Sequence, residues 1–187
     1  MKLAQQMLAV AIALTIALAA GTTSGLAAKK KKKKCKDGET AKIASYEITK
    51  GKNIDRQIKD SLTGKAGDAK AGLKWMTHRR LGNCIACHEV TKILKKADAS
   101  DLNSLRTYGF HGKIAPTLDG IADRFTEGEL RLIVVSAKTA FPDNNTIMPA
   151  FHAASGFNRV IGDCKDLAIL SAERVEDVIA YLRTLKE

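Results

Sequence analysis

Two cysteines two residues apart, with a histidine directly after the second, occupy Cys84, Cys87 and His88 in the stretch GNCIACHE. Three chemistries use such a cluster. A structural zinc site takes four ligands, commonly as two close pairs; here Cys35 and Cys164 stand alone and the other histidines are scattered. A dithiol redox pair wants a strand-to-helix setting in a βαβ fold, and no strand-like alternation surrounds this one. The third chemistry is covalent attachment of a c-type haem, in which the thiols add to two vinyl groups and the imidazole takes one face of the iron. A spacing of one helical turn brings both thiols to one edge of the ring. One covalent haem c is the expectation, with zinc and redox chemistry as the alternatives.

A haem held on one face by His88 needs a ligand on the other. Outside the first residues the only methionines are Met76 and Met148, and the remaining histidines are His78, His111 and His152. Met76 and His78 precede the motif on one helical stretch and read as packing and surface residues. Met148 lies in a loop and is followed by Pro149, which fixes the backbone and lacks an N–H. Met148 is the expected sixth ligand; His111, His152 or a purely packing role for Met148 are the alternatives. Ligation by His and Met raises the reduction potential and closes the coordination sphere, which favours electron transfer.

The compartment has to permit this. Lys2 is followed by an apolar run of 14 residues, Met7 to Ala20, and then by the small residues GTTSGLAA. The run is short for a bilayer span, and its basic start and small-residue end predict a signal peptide over 1–28 and a periplasmic protein. The net charge of +11 is concentrated next to it. Of 31 basic residues, one lies in the leader and seven in KKKKKKCK at 29–36, so the rest of the chain carries 23 against 20 acidic groups. That is a nearly neutral domain with a basic tail, and no Arg-aromatic surface suggests nucleic-acid binding. The Lys29 to Lys34 run reads as a solvated tail or as a docking arm for an acidic partner or lipid surface.

The elements that must position these groups are helical. Residues 37–67 are polar and aperiodic and read as an extended segment lying over a domain. A helix starts at Asp68, an N-cap residue, carries Leu73, Trp75 and Met76, and ends before Gly82. Short helical pieces and a loop marked by Gly and Pro follow His88. TEGELRLIVVSAKTA, with Leu130, Ile133 and Val134 on one side, predicts a helix ended by Pro142. The last helix has Ser171 as N-cap and an apolar stripe of Val175, Val178, Ile179, Leu182 and Leu185, with Arg183 and Lys186 suited to its C-terminus. The expected class is all-α with long loops. A basic N-terminal extension spans 29–60 and the domain spans 61–187.

Five stretches, SLTGKAGDAKAG, RRLGNCIACH, GFHGKIAPTLDGIADRF, IMPAFH with GFNRV, and SAERVEDVIAYLRTL, run in order from about Tyr46 to the C-terminus. Together they resemble SoxX, the monohaem subunit of the SoxXA cytochrome of bacterial thiosulfate oxidation. The resemblance implies a class I cytochrome c fold, thioethers at Cys84 and Cys87, and axial ligands His88 and Met148. It also implies that the carbonyl of Pro116 accepts the other N–H of the axial imidazole. Ala115 stands where the family usually has Gly. Gly72 and Tyr181 match the small and aromatic residues where the first and last helices cross. Arg124 is a candidate partner for a haem propionate, or else a surface ion pair.

By that resemblance the chain is the electron-transfer subunit of an L-cysteine S-thiosulfotransferase, which joins thiosulfate to a cysteine of a SoxY-type carrier. The catalytic haem is expected on a SoxA-type cytochrome subunit in a heterodimer, and this chain passes electrons on to a downstream cytochrome. A free periplasmic electron carrier is the alternative. Cys35 and Cys164 fall outside the shared motifs: a disulfide between them, free thiols, or a bond from Cys35 to another chain all remain open.

Overall fold

The computed structural model describes residues 41–153 and 167–187. The expected leader, the lysine run, Cys35, Cys164 and the GFNRV stretch lie outside the described residues. The described elements are β1 (Thr49–Lys50), β2 (Arg56–Gln57), α1 (Ala69–Thr77), a 3-10 turn (Cys84–Ala86), α2 (Thr91–Leu94), α3 (Leu102–Ser104) running into a π turn (Leu105–Gly109), α4 (Ile121–Arg124), α5 (Glu127–Ala140) and α6 (Ala172–Leu182). The class is all-α with one amendment. β1 and β2 pair antiparallel, with Thr49 opposite Gln57 and Lys50 opposite Arg56, and a single bridge joins Ala41 to Ala168. Strands of two residues are too short to show alternation, so no pattern announces them.

Helix starts follow the capping chemistry. The Asp68 side chain accepts from the Lys70 N–H and opens α1, and the Ser171 side chain accepts from the Arg174 N–H and opens α6. Each satisfies one of the amides a helix leaves unbonded at its start. The stripe on α6 is buried throughout, from Val175 to Leu185, and meets Met76 of α1 and Leu130 and Val134 of α5 in one core. Where α1 crosses α6, Gly72 abuts the Asp177 carbonyl, and a Cβ there would also lie 2.9 Å from the Tyr181 Cβ. Only a hydrogen fits, so the two backbones close together. Trp75 of α1 adds an Nε1–H bond of 3.0 Å to the Asp177 carboxylate.

α5 is opened by a capping box in which the Thr126 hydroxyl accepts from the Glu129 N–H and the Glu129 carboxylate accepts from the Thr126 N–H. A one-sided helix was expected here; instead Glu129, Arg131, Leu132 and Val135 are buried together with Leu130 and Val134. The cause is the segment before α1, which covers the other side. Arg131, 1% exposed, bonds Glu176 through Nε at 2.8 Å and Nη2 at 3.0 Å, Glu127 at 2.7 Å, and the carbonyls of Ile58 and Lys59 at 2.9 and 3.1 Å. All the guanidinium nitrogens are engaged, so the buried cation is fully satisfied. Glu176 Oε1 also accepts the Leu62 N–H at 2.8 Å. The extension is thereby stapled onto α5 and α6, and Ile58 is buried beneath it.

Glu129 binds the hairpin turn in the same way. Its Oε1 accepts the N–H groups of Lys52, Asn53 and Ile54, and its Oε2 accepts Asn53 Nδ2 and Thr126 N–H. Burial pushes this carboxyl up, but hydrogen bonds from Ile54, Thr126 and Asn53 outweigh it and hold it down at about 2. The folded pKa lies below the unfolded one, so the stabilisation is complete above the ordinary 4.5 and fades as pH falls towards 2. Glu129→Gln, which turns an NH2 group towards these donors, is expected to cost about 3 kcal/mol at neutral pH and to flatten the acid limb of the stability curve. Denaturant melts at pH 7, 4.5, 3 and 2 check it; parallel wild-type and variant curves would refute the assignment.

Candidate cofactor site

The haem-attachment motif sits between α1 and α2. After α1 ends, Asn83 takes the left-handed conformation, at φ 46°, which Asn tolerates better than most residues. The chain then enters the 3-10 turn, where the N–H groups of Cys87 and His88 both bond the Cys84 carbonyl, at 3.2 and 3.0 Å. This turn brings Cys84 and Cys87 together and places His88 directly after them, while Ile85 is buried.

A strap formed by residues 111–118 locks the motif. The N–H of Gly112 bonds the Ile85 carbonyl at 2.9 Å, those of Ile114 and Ala115 bond the Cys87 carbonyl at 3.2 and 3.0 Å, and that of Leu118 bonds the Glu89 carbonyl at 3.0 Å. Gly112 is required at the closest point, because a Cβ would run into the Ala86 carbonyl and stand 3.0 Å from the Cys87 Cα. From the other direction, His111 Nδ1 accepts the Val90 N–H at 3.0 Å. Within the strap the Pro116 carbonyl lies 2.7 Å from His88 Nδ1. Since a carbonyl only accepts, Nδ1 carries the proton and Nε2 presents a lone pair, the tautomer a metal ligand needs. The Ala115 substitution does not prevent this contact.

Cys84, Cys87, His88, Pro116, Arg124 and Met148 all line one cavity of about 810 Å³, otherwise walled largely by apolar side chains. That is within the roughly 300–1,000 Å³ typical of cofactor sites. The donor set suits a haem: two thiols on one edge, an imidazole with a free lone pair, a thioether and an exposed guanidinium. Arg124 Nη2 donates to the carbonyls of Thr117 at 2.8 Å and Asp119 at 3.2 Å, which positions the side chain. Its other N–H groups have no partner among the described residues.

The alternatives fare differently. Among the described residues no three His, Cys, Asp or Glu side chains converge as a metal site. Burial pushes the Cys84 thiol up to about 12, opposite to the lowered pKa that makes a redox pair reactive. His152 is fully buried and engaged at both nitrogens: Nδ1 donates to the Leu170 carbonyl at 2.7 Å and Nε2 accepts the Ala44 N–H at 2.9 Å. It clamps the N-terminal segment and is not free to bind iron. Met76 is fully buried in the core on the wall of the same cavity, and His78 caps the end of α1.

Two features beside Met148 left no trace in the sequence. Ser136 is extended, at φ −159° and ψ 95°, and interrupts α5. The carbonyls of the two residues before it, Val134 and Val135, accept the N–H groups of Phe151 and His152 at 3.3 and 3.2 Å. This stitches the chain just after Met148 to the helix. On the other side, the Thr146 hydroxyl accepts the Met148 N–H at 3.1 Å.

Residues 69–186 match the family model described as Cytochrome c. A chain in the crystal structure of SoxXA from P. pantotrophus is similar, with 40% identity and a TM-score of 0.55, over 70% of this chain and 90% of that one. No curated protein matches the sequence.

Proposed function

This chain belongs to the cytochrome c family, and we propose that it is the SoxX-type, electron-transferring subunit of a complex that oxidises thiosulfate. The observation that carries the proposal is the 40% identity to a chain of SoxXA, sustained over nine-tenths of that chain. The cofactor is haem c. When bound it supplies a one-electron couple, ferric to ferrous and back. Cys84 and Cys87 would hold it by thioethers, His88 and Met148 would ligate the iron, the Pro116 carbonyl would orient the imidazole, and Arg124 would neutralise a propionate.

His88 and Met148 would together leave the iron no position for thiosulfate, and the chemistry the group would supply here is the uptake and release of electrons. The S–S bond is made elsewhere, on a SoxA-type partner acting on a carrier cysteine, and the electrons leave through this chain to another cytochrome. The proposed setting is the periplasm. No described helix is long and apolar enough to cross a membrane.

Co-expression with a SoxA-type cytochrome tests the proposal. A heterodimer that survives gel filtration, and whose monohaem subunit is reduced when thiosulfate and carrier protein are added, is the expected result. A monomer indifferent to both, yet exchanging electrons with generic donors, would make it a free carrier instead.

A further inference from the structure

We propose that Thr146 is a positioning residue for Met148, holding the thioether over the cavity through a hydrogen bond to the methionine's own backbone. The inference rests on the reading of Met148 as an axial ligand. The loop from α5 to Met148 is a succession of tight turns: the Asn144 N–H bonds the Phe141 carbonyl at 3.2 Å, and the Thr146 N–H bonds the Asn144 carbonyl at 2.8 Å. From there to Phe151 the backbone has few places to hold on. Ile147, on the wall of the cavity, is 78% exposed and packs little on the protein itself, and Pro149 has no N–H to give. The Met148 N–H has one partner among the described residues, the Thr146 hydroxyl at 3.1 Å. Downstream, burial of Ala150 and Phe151 and the bonds to Val134 and Val135 pin the chain. Upstream, the hydroxyl is the tether next to the ligand among the described residues.

Loss of the hydroxyl therefore raises the population in which the loop has swung away, without touching the sulfur, the thioethers or His88. An external ligand reads that population, because its apparent affinity scales with the fraction of protein in which the iron is open.

The test titrates ferric holoprotein with imidazole, with haem content measured by the pyridine haemochrome. Thr146→Val is expected to raise imidazole affinity roughly 5-fold, the weight of one neutral hydrogen bond, while Thr146→Ser, which keeps the acceptor, stays at the wild-type value. In a Met148→Ala background, where nothing remains to be positioned, Thr146→Val is expected to change nothing further. Wild-type affinity in Thr146→Val overturns the proposal. So does an equal increase in Thr146→Ser, or an increase that persists without Met148. Should the valine variant fail to take up haem, Thr146→Ala removes the same acceptor and is read by the same criteria. If Met148→Ala alone binds imidazole no more tightly than wild type, the ligand assignment itself is wrong, and that result is separable from a failure at Thr146.

Discussion

Met148→Ala is expected to abolish the near-red sulfur-to-iron absorption band of the ferric protein and to lower its reduction potential. The drop is a sizeable part of the roughly 0.8 V over which axial ligands set haem potentials. A thioether favours the ferrous state, and its removal exposes the iron to water. Haem content is not expected to change, because Cys84, Cys87 and the 111–118 strap are untouched. Optical spectroscopy and potentiometric titration check both halves. Survival of the band would show that sulfur from another residue binds the iron; the other described methionine, Met76, also lines the cavity and would be the one to test.

Gly72→Val is expected to be the most damaging single change to the scaffold. The new Cβ would collide with the Asp177 backbone carbonyl and crowd Tyr181 Cβ at 2.9 Å, and a backbone atom cannot rotate away as a side chain can. Overpacking of this kind costs about 3 kcal/mol or more, which lowers Tm by roughly 6–12 °C in a protein of this size. Met76 and Leu182, on the two crossing helices, also line the cavity, so the crossing and the site loosen together. Thermal melts of wild type, Gly72→Ala and Gly72→Val should fall in that order. A valine variant with the wild-type Tm would mean that the helices do not cross at Gly72.

Local chemistry was legible in advance. The helix starts at Asp68 and Ser171 rest on side chains bonding amides two or three residues away, and the stripe on α6 depends on a fixed period along one helix. The opposite side of α5 was not legible. Glu129 and Arg131 look like ordinary solvent-facing charges in an amphipathic helix. They are buried because, besides their local partners Thr126 and Glu127, residues such as Asn53, Ile58 and Glu176, between 45 and 76 residues away, accept or donate most of the hydrogen bonds they need. No window of sequence contains both halves of such a contact. For the same reason the segment before α1 reads as polar and aperiodic, although its backbone N–H and carbonyl groups supply part of what satisfies those two side chains.

The site divides along the same line. The sequence by itself carries the C-x-x-C-H pattern at Cys84, Cys87 and His88, legible from residue type and spacing within a few positions, and it leaves Met148, in a loop before a proline, as the candidate opposite them. Only the tertiary structure decided that Pro116 bonds His88 Nδ1, that His152 is a clamp whose nitrogens are both spent, that α5 breaks at Ser136 and that the Thr146 hydroxyl accepts the Met148 N–H. Those outcomes depend on backbone groups of distant segments meeting at hydrogen-bond distance, and every residue carries the same backbone groups, so nothing in the order of the side chains marks which of them meet.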